Sequence, residues 1–248
     1  MDELTQRQID ILTSIIREHT ETGQAVGSEI IEKKYKHGVS PATIRNEMVE
    51  LAKKGYLQKT HVSSGRVPSP KGYRYYINNV MHEKELSTVD EVAYKHSIWD
   101  DRDKRNQMFS QAARVLAQKT GLMSLIATNS GELYYAGIGN LLSVTDFLNV
   151  SLSQMLFKRL DEANFWEEIL RLAHVADEDV FYILGQDDFR DPVFETCSSI
   201  FADFEGSQSR GIIGVLGPKY IHYETIVPQL RFFSHLLQDL MKEEPESK

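Results

Sequence analysis

Two serine–proline pairs, Ser40-Pro41 and Ser69-Pro70, constrain the fold of this chain more than any other feature. A serine hydroxyl accepts from first-turn amides, and proline has helical φ and lacks only an amide hydrogen that the first turn leaves unused. Each pair therefore predicts a helix start. After the first, Ile44, Met48 and Leu51 recur at helical spacing up to Lys54, and Gly55 ends the run. The stretch 56–60, the turn Ser63-Ser64-Gly65 and the stretch 66–68 then read as a two-stranded hairpin with a small, polar, basic tip. Gly65 is expected to supply a positive φ at the turn. The second pair opens a helix through Tyr73, Tyr76, Ile77 and Val80.

Upstream, Thr5 precedes Ile9, Leu12, Ile15 and Ile16 at helical spacing, and Gly23 is a natural stop. Ser28 is expected to cap a short helix to about Tyr35, with Ile30 and Ile31 facing inward. Three short helices, a hairpin and a closing helix are the order of a winged helix-turn-helix, assigned here to residues 1–81. Residues 82–102 read as a linker or spacer helix. A helix over 103–119 follows, using Met108, Ala112, Val115 and Leu116. Strands are expected at 122–128, 133–138, 180–184, 198–204 and 211–216, with helices near 151–160, 164–174 and 224–242. The fold class is α+β, and 103–248 is an α+β domain with a mostly antiparallel sheet.

Net charge is −8, which argues against a polyanionic partner until its distribution is considered. Residues 1–81 hold 12 Lys and Arg against 9 Asp and Glu, leaving 16 against 27 for the remainder. Within 33–74 ten bases face only Glu47 and Glu50. Such a block is either a solvated basic surface or a footprint for phosphate.

On a helical wheel the third helix separates into two faces. Ile44, Met48 and Leu51 form the core stripe, while Ala42, Asn46 and Lys53 lie opposite, with Thr43 and Arg45 to the sides. That polar face fits a major groove about 12 Å wide. Asn46 can pair with adenine, Arg45 with guanine or a phosphate, and Ala42 or Thr43 with a thymine methyl. Ser40 at the helix start completes the set. In the hairpin, Ser63, Ser64 and Gly65 remove bulk beside a sugar–phosphate wall. Arg66 can enter a minor groove or hold a phosphate, and His61, Lys59, Lys71 and Arg74 add charge. The bland reading is the solvent face of a surface helix beside an ordinary hairpin. Tyr73, Tyr75 and Tyr76 are expected to pack rather than to stack on bases.

Enzymatic signatures are missing from the sequence. The single cysteine, Cys197, excludes an intrachain disulfide and zinc sites built on cysteine pairs, and it reads as a buried thiol. No HExxH, Walker loop or GxSxG occurs, so no catalysis, metal or cofactor is expected. No run approaches the ~20 apolar residues that span a bilayer, and the acidic start Met1-Asp2-Glu3 is unlike a signal peptide. A cytoplasmic protein with no membrane partner is the expectation.

Several separated motifs agree in order and spacing with one family. Residues 4–9 (Leu4-Thr5-Gln6-Arg7-Gln8-Ile9), Glu21-Thr22-Gly23 with Val26-Gly27-Ser28, the run from Ser40 to Met48, and Ser64-Gly65-Arg66-Val67-Pro68 through Gly72 to Tyr76 closely resemble the bacterial heat-inducible transcription repressor HrcA family. Sparser similarity continues in Gly139-Asn140-Leu141-Leu142, Ile183-Leu184-Gly185 and the stretch from Gly211 to Pro218 before Tyr223. The resemblance implies a GAF-like regulatory and dimerisation domain at 103–248. It further implies a homodimeric repressor of chaperone genes on an inverted-repeat DNA operator, with activity linked to a GroEL-type chaperonin. Two departures stand out: the chain is shorter than typical members, as if the inserted dimerising domain were missing, and Lys219-Tyr220-Ile221-His222 replaces a Thr-Arg-Met run. Two other functions fit the residues. Glycine-rich strands with Tyr134, Tyr135, Phe181 and Tyr182 could make a small-molecule sensor controlling other genes, or the winged helix could serve protein contacts alone.

Overall fold

The computed structural model describes residues 4–59, 65–102, 104–175, 179–185, 194, 197–206 and 209–242. The chain forms two compact units, Met1–His82 with Tyr220–His222, and Glu83–Lys219 with Tyr223–Lys248.

In the first unit, α1 (Gln6–Thr22) starts at a capping box: the Thr5 hydroxyl accepts from the Gln8 amide, and the Gln8 side chain accepts from the Thr5 amide. It ends at Gly23 in the left-handed region, φ 66°. Ile11, Leu12, Ile15 and Ile16 are fully buried, each contributing roughly 1.5–3 kcal/mol of hydrophobic stabilisation. The second helix, α2 (Ser28–Tyr35), is capped by Gly27 and not by Ser28, which is the first helical residue and is buried. Ile31 points inward as expected, but Ile30 is 44% exposed. Ile30 lies about 100° round the helix from Ile31, and the packed side of α2 does not reach it.

The third helix, α3 (Pro41–Lys53), is capped by Ser40 and buries Ile44, Met48 and Leu51 against α1 and α2. Two short strands follow, β1 (Leu57–Lys59) and β2 (Arg66–Pro68), paired antiparallel with Leu57 opposite Pro68 and Lys59 opposite Arg66. Arg66 also bridges to Val26 through two backbone hydrogen bonds of 2.9 Å, which tie the hairpin to the segment before α2. The closing helix, α4 (Pro70–Asn79), starts at Ser69, whose hydroxyl accepts from the Gly72 amide and donates to the Gly55 carbonyl. Tyr73 and Tyr76 are buried, in keeping with a packing role.

The second unit begins with α5 (Thr88–Trp99), which buries Tyr94 and Ile98, and α6 (Arg105–Thr120), which buries Met108, Ala112, Val115 and Leu116. Then come β3 (Met123–Thr128), β4 (Leu133–Ala136), α7 (Ile138–Leu142), α8 (Val150–Leu160), α9 (Ala163–Val175), β5 (Val180–Ile183), β6 (Cys197–Glu205), β7 (Arg210–Pro218) and α10 (Tyr223–Lys242). The strands form one sheet in the order β4-β3-β7-β6-β5, every neighbouring pair antiparallel. Helices α6 and α10 cover one face, and α9, with α7 against β3, covers the other. Central β7 is therefore buried along nearly its whole length, with Leu125 of β3 opposite its Gly214.

This is the α+β architecture expected for a GAF-like domain, with one difference in detail. The strand expected over 133–138 stops at Ala136, and the chain turns into α7, where the Asn140 side chain donates to the carbonyls of Ala117 and Leu122. Cys197 is fully buried in a cluster with Phe201, Phe194 and Trp166, as a structural thiol should be. Phe181 stacks on Phe201 at 5.1 Å, and the Tyr134 hydroxyl donates to Asn106, so both serve packing. Among the described residues no helix is long and apolar enough to cross a membrane, and no group of His, Cys, Asp and Glu could hold a metal.

Candidate nucleic-acid interface

The polar side of α3 is open. Ala42, Arg45 and Asn46 are exposed near the helix start, and among the described residues no hydrogen bond or ion pair restrains Arg45 or Asn46. Such side chains keep their full donor and acceptor capacity for another molecule. The neighbours that could have tied them down are used elsewhere. Glu47 accepts from Gln8 at 3.0 Å and pairs with Arg7 at 3.5 Å, which pins α3 to α1 from the inner flank.

Other expected contact residues turn out to have structural duties. The Ser40 hydroxyl accepts from the Thr43 amide at 3.2 Å and lies 3.0 Å from the Thr43 hydroxyl, so the pair builds the helix cap. Lys53 pairs with Glu50 at 2.7 Å. Lys71 donates to the Lys54 carbonyl at 2.8 Å and sits 4.4 Å over the Tyr56 ring, where it neutralises the C-terminal end of α3. Arg74 is exposed on α4. Gly65 does not have the positive φ expected of it. It is buried, and a Cβ there would lie 2.9 Å from the Ala25 Cβ and 3.0 Å from the Ala25 carbonyl carbon, so glycine is needed for close approach. His61, Ser63 and Ser64 lie outside the described residues.

Beside the open face runs a groove of about 420 Å³ bounded by α2, α3 and the hairpin. Three cations from three elements line it: Arg45 of α3, Lys59 of β1 and Arg66 of β2. Ile30, Met48 and Val49 supply its apolar lining, and Ser28 and Glu29 line it too, so one carboxylate faces the three cations. Lys59 and Arg66 are directly opposed across the hairpin. Like charges placed so in an antiparallel pair are destabilising by a few tenths to about 1 kcal/mol, and here the Arg66 guanidinium donates to the Gly65 carbonyl at 3.3 Å. Composition marked Lys59 only as one more charge; hairpin register, counted back from Pro68, is what places it against Arg66. No signal along the sequence marks Ile30, because helical periodicity treats it as core.

The described arrangement can thus offer hydrogen-bonding side chains to base edges and three cations to phosphates. The family model described as "HrcA protein C terminal domain" matches residues 44–227, roughly three quarters of the chain. The heat-inducible transcription repressor HrcA of Clostridium tetani (strain Massachusetts / E88) is 43% identical over 138 residues, covering 55% of this chain and 39% of that protein. That of Clostridioides difficile (strain 630) is 38% identical over 128 residues, 52% of this chain and 38% of that one. The matched region thus spans less than two fifths of these relatives' length. Among solved structures, the crystal structure of a hypothetical protein matches with a TM-score of 0.73 at 16% identity, over 96% of this chain and 98% of that one, which shows a shared fold. The extent of the family-model match and the identity to these repressors establish that this chain belongs to the HrcA family.

Proposed function

We propose that the chain is a sequence-specific repressor of heat-shock genes that binds double-stranded DNA and catalyses nothing. The observation that carries this reading is the open face of α3, with Ala42, Arg45 and Asn46, standing beside a groove where Arg45, Lys59 and Arg66 converge. Asn46 reads a base from the helix, Ala42 or the Thr43 methyl touches a thymine methyl, Arg45 reads guanine or anchors a phosphate, and Arg66 with Lys59 holds the backbone from the hairpin. Ser63 and Ser64 leave room beside the sugar–phosphate wall, while His61, Lys53, Lys71 and Arg74 add weaker long-range attraction. The DNA-binding domain is 1–81, 82–102 joins it to the remainder, and 103–248 is regulatory.

The operator is an inverted repeat, because two copies of one reading head related by a two-fold axis require two-fold DNA symmetry. The working species is a cytoplasmic homodimer whose activity depends on a GroEL-type chaperonin, so that unfolded protein competing for the chaperonin relieves repression. The supporting fact is that the matched relatives are named heat-inducible transcription repressors. Selection of bound duplexes from fragmented genomic DNA tests the reading. Recovery of promoter fragments carrying an inverted repeat upstream of chaperone genes is the expected result. Recovery of no enriched sequence, or binding of chaperonin without any binding of DNA, would leave the winged helix as a protein-contact module.

A further inference from the structure

Helix α10 carries a proline inside it, Pro228. Proline has no amide hydrogen, and its ring pushes aside the carbonyl four residues earlier, here that of Glu224. A carbonyl freed in this way needs another donor. The linker supplies it: the Lys84 amide donates to the Glu224 carbonyl at 2.8 Å. Side chains hold the same stretch. The Arg231 guanidinium donates twice to the Glu83 carboxylate, at 2.5 and 3.2 Å, and the Lys84 ammonium lies 3.9 Å from the Glu224 carboxylate. A two-pronged arginine–carboxylate pair fixes direction as well as distance. Asp179, 3.7 Å from Arg231, faces the same guanidinium.

These contacts fall at one place in the chain. The Met81 amide still donates to the Tyr76 carbonyl of α4, His82 is the last residue of the first unit, and Glu83 is already held by α10. A single residue therefore lies between the two attachments. The reach of a flexible tether grows with the square root of its length, so one residue leaves little play.

We infer that Glu83, Lys84, Pro228 and Arg231 are positioning residues for operator binding: they seat the linker on α10 and so fix the half-site spacing that a dimer accepts. The inference rests on the reading of the chain as a dimeric repressor on an inverted repeat, and adds to it what sets the distance between half-sites. Each inserted base pair carries the second half-site about 3.4 Å along the duplex and about 35° round it. Reading heads on seated linkers cannot follow that movement, whereas heads on long free tethers can.

The test uses the full chain with the operator recovered by genomic selection, versions with two base pairs added to or removed from its centre, and a duplex holding one half-site. The wild-type chain should lose about a hundredfold in affinity on the altered spacings. In Arg231→Met that loss should shrink to about tenfold or less. Arg231→Lys, which keeps the charge but not the two-pronged grip, should fall between them. All three should bind the single half-site alike, because the reading head is unchanged. Pro228→Ala separates a seat for the linker from support of the helix. It restores the amide that α10 lacks, so the denaturation midpoint should rise, while hydrogen exchange at the Lys84 amide accelerates as the Glu224 carbonyl takes a donor from its own helix. Lys84 exchange that slows along with the gain in stability contradicts the seat. A spacing profile identical in wild type and Arg231→Met, with the half-site still bound, overturns the inference and leaves DNA binding standing. Failure to bind any duplex overturns the DNA reading and this inference with it.

Discussion

Lys59 and Arg66 stand directly opposite one another across the β1–β2 hairpin, two cations of one sign at the place where the strands lead into the turn. Like charges so opposed cost a few tenths of a kcal/mol, and the Arg66 guanidinium also donates to the Gly65 carbonyl at 3.3 Å. Lys59→Gln should therefore raise the stability of the free chain by up to about 0.5 kcal/mol. It should also reduce the slope of log affinity against log salt by about 1. Denaturant midpoints and duplex titrations at several ionic strengths read the two effects separately. A variant both less stable and unchanged in salt dependence would show that the pair serves the fold.

Base contact and backbone contact separate by mutation. Asn46→Ala should cost about 1–3 kcal/mol on the selected operator and little on a scrambled duplex, because the lost contact is to a base. Arg66→Ala should weaken both duplexes alike. Equal losses on both sequences for Asn46→Ala would remove that residue from readout.

Two glycines test how tightly the hairpin is held. Gly65→Ala drives a methyl to within 2.9 Å of the Ala25 side chain, and a cost of about 1–3 kcal/mol is expected. Gly72→Ala is the harsher change, since its Cβ would lie 2.3 Å from the Tyr56 carbonyl oxygen, which cannot rotate away. Hydrogen exchange at the Arg66 amide, which donates to Val26, should accelerate in Gly65→Ala before global unfolding does.

Lys34 of α2 donates to Glu18 at 2.6 Å and to Glu21 at 2.7 Å, and the Lys34 hydrogen bond holds the Glu21 carboxyl below its ordinary value of 4.5. A carboxyl depressed in the folded state adds stability above its ordinary pKa and loses it as pH falls through the folded value. The wild-type chain should thus lose stability as pH falls below the ordinary carboxyl value, and Lys34→Met should flatten that part of the profile. Urea midpoints across the range decide it. The pair is exposed, so the effect is small and should shrink in high salt.

The helix order of the first unit was readable because its boundaries are chemical. Thr5, Ser40 and Ser69 each accept a first-turn amide, and Gly23 ends α1 in a conformation that glycine adopts freely. Ile30 escapes the periodicity rule, which puts two adjacent isoleucines on one face, because the packed side of α2 stops short of it. Gly65 was read as a turn glycine when the constraint on it comes from Ala25, forty residues earlier and invisible to local reasoning. In the second unit, strand positions followed from apolar runs, but the order β4-β3-β7-β6-β5 depends on pairings between residues as distant as Leu125 and Gly214. The groove was illegible for the same reason: Ile30, Arg45, Lys59 and Arg66 are scattered over the sequence and meet only once the hairpin is paired.

That α3 and the hairpin together grip one duplex is tested most directly by titrating the full chain against the selected operator and a scrambled duplex over a range of salt. Steep, near-parallel lines are expected, with the operator bound on the order of a thousandfold or more tightly throughout. Coincident lines, or no binding at low ionic strength with chaperonin present or absent, would contradict it.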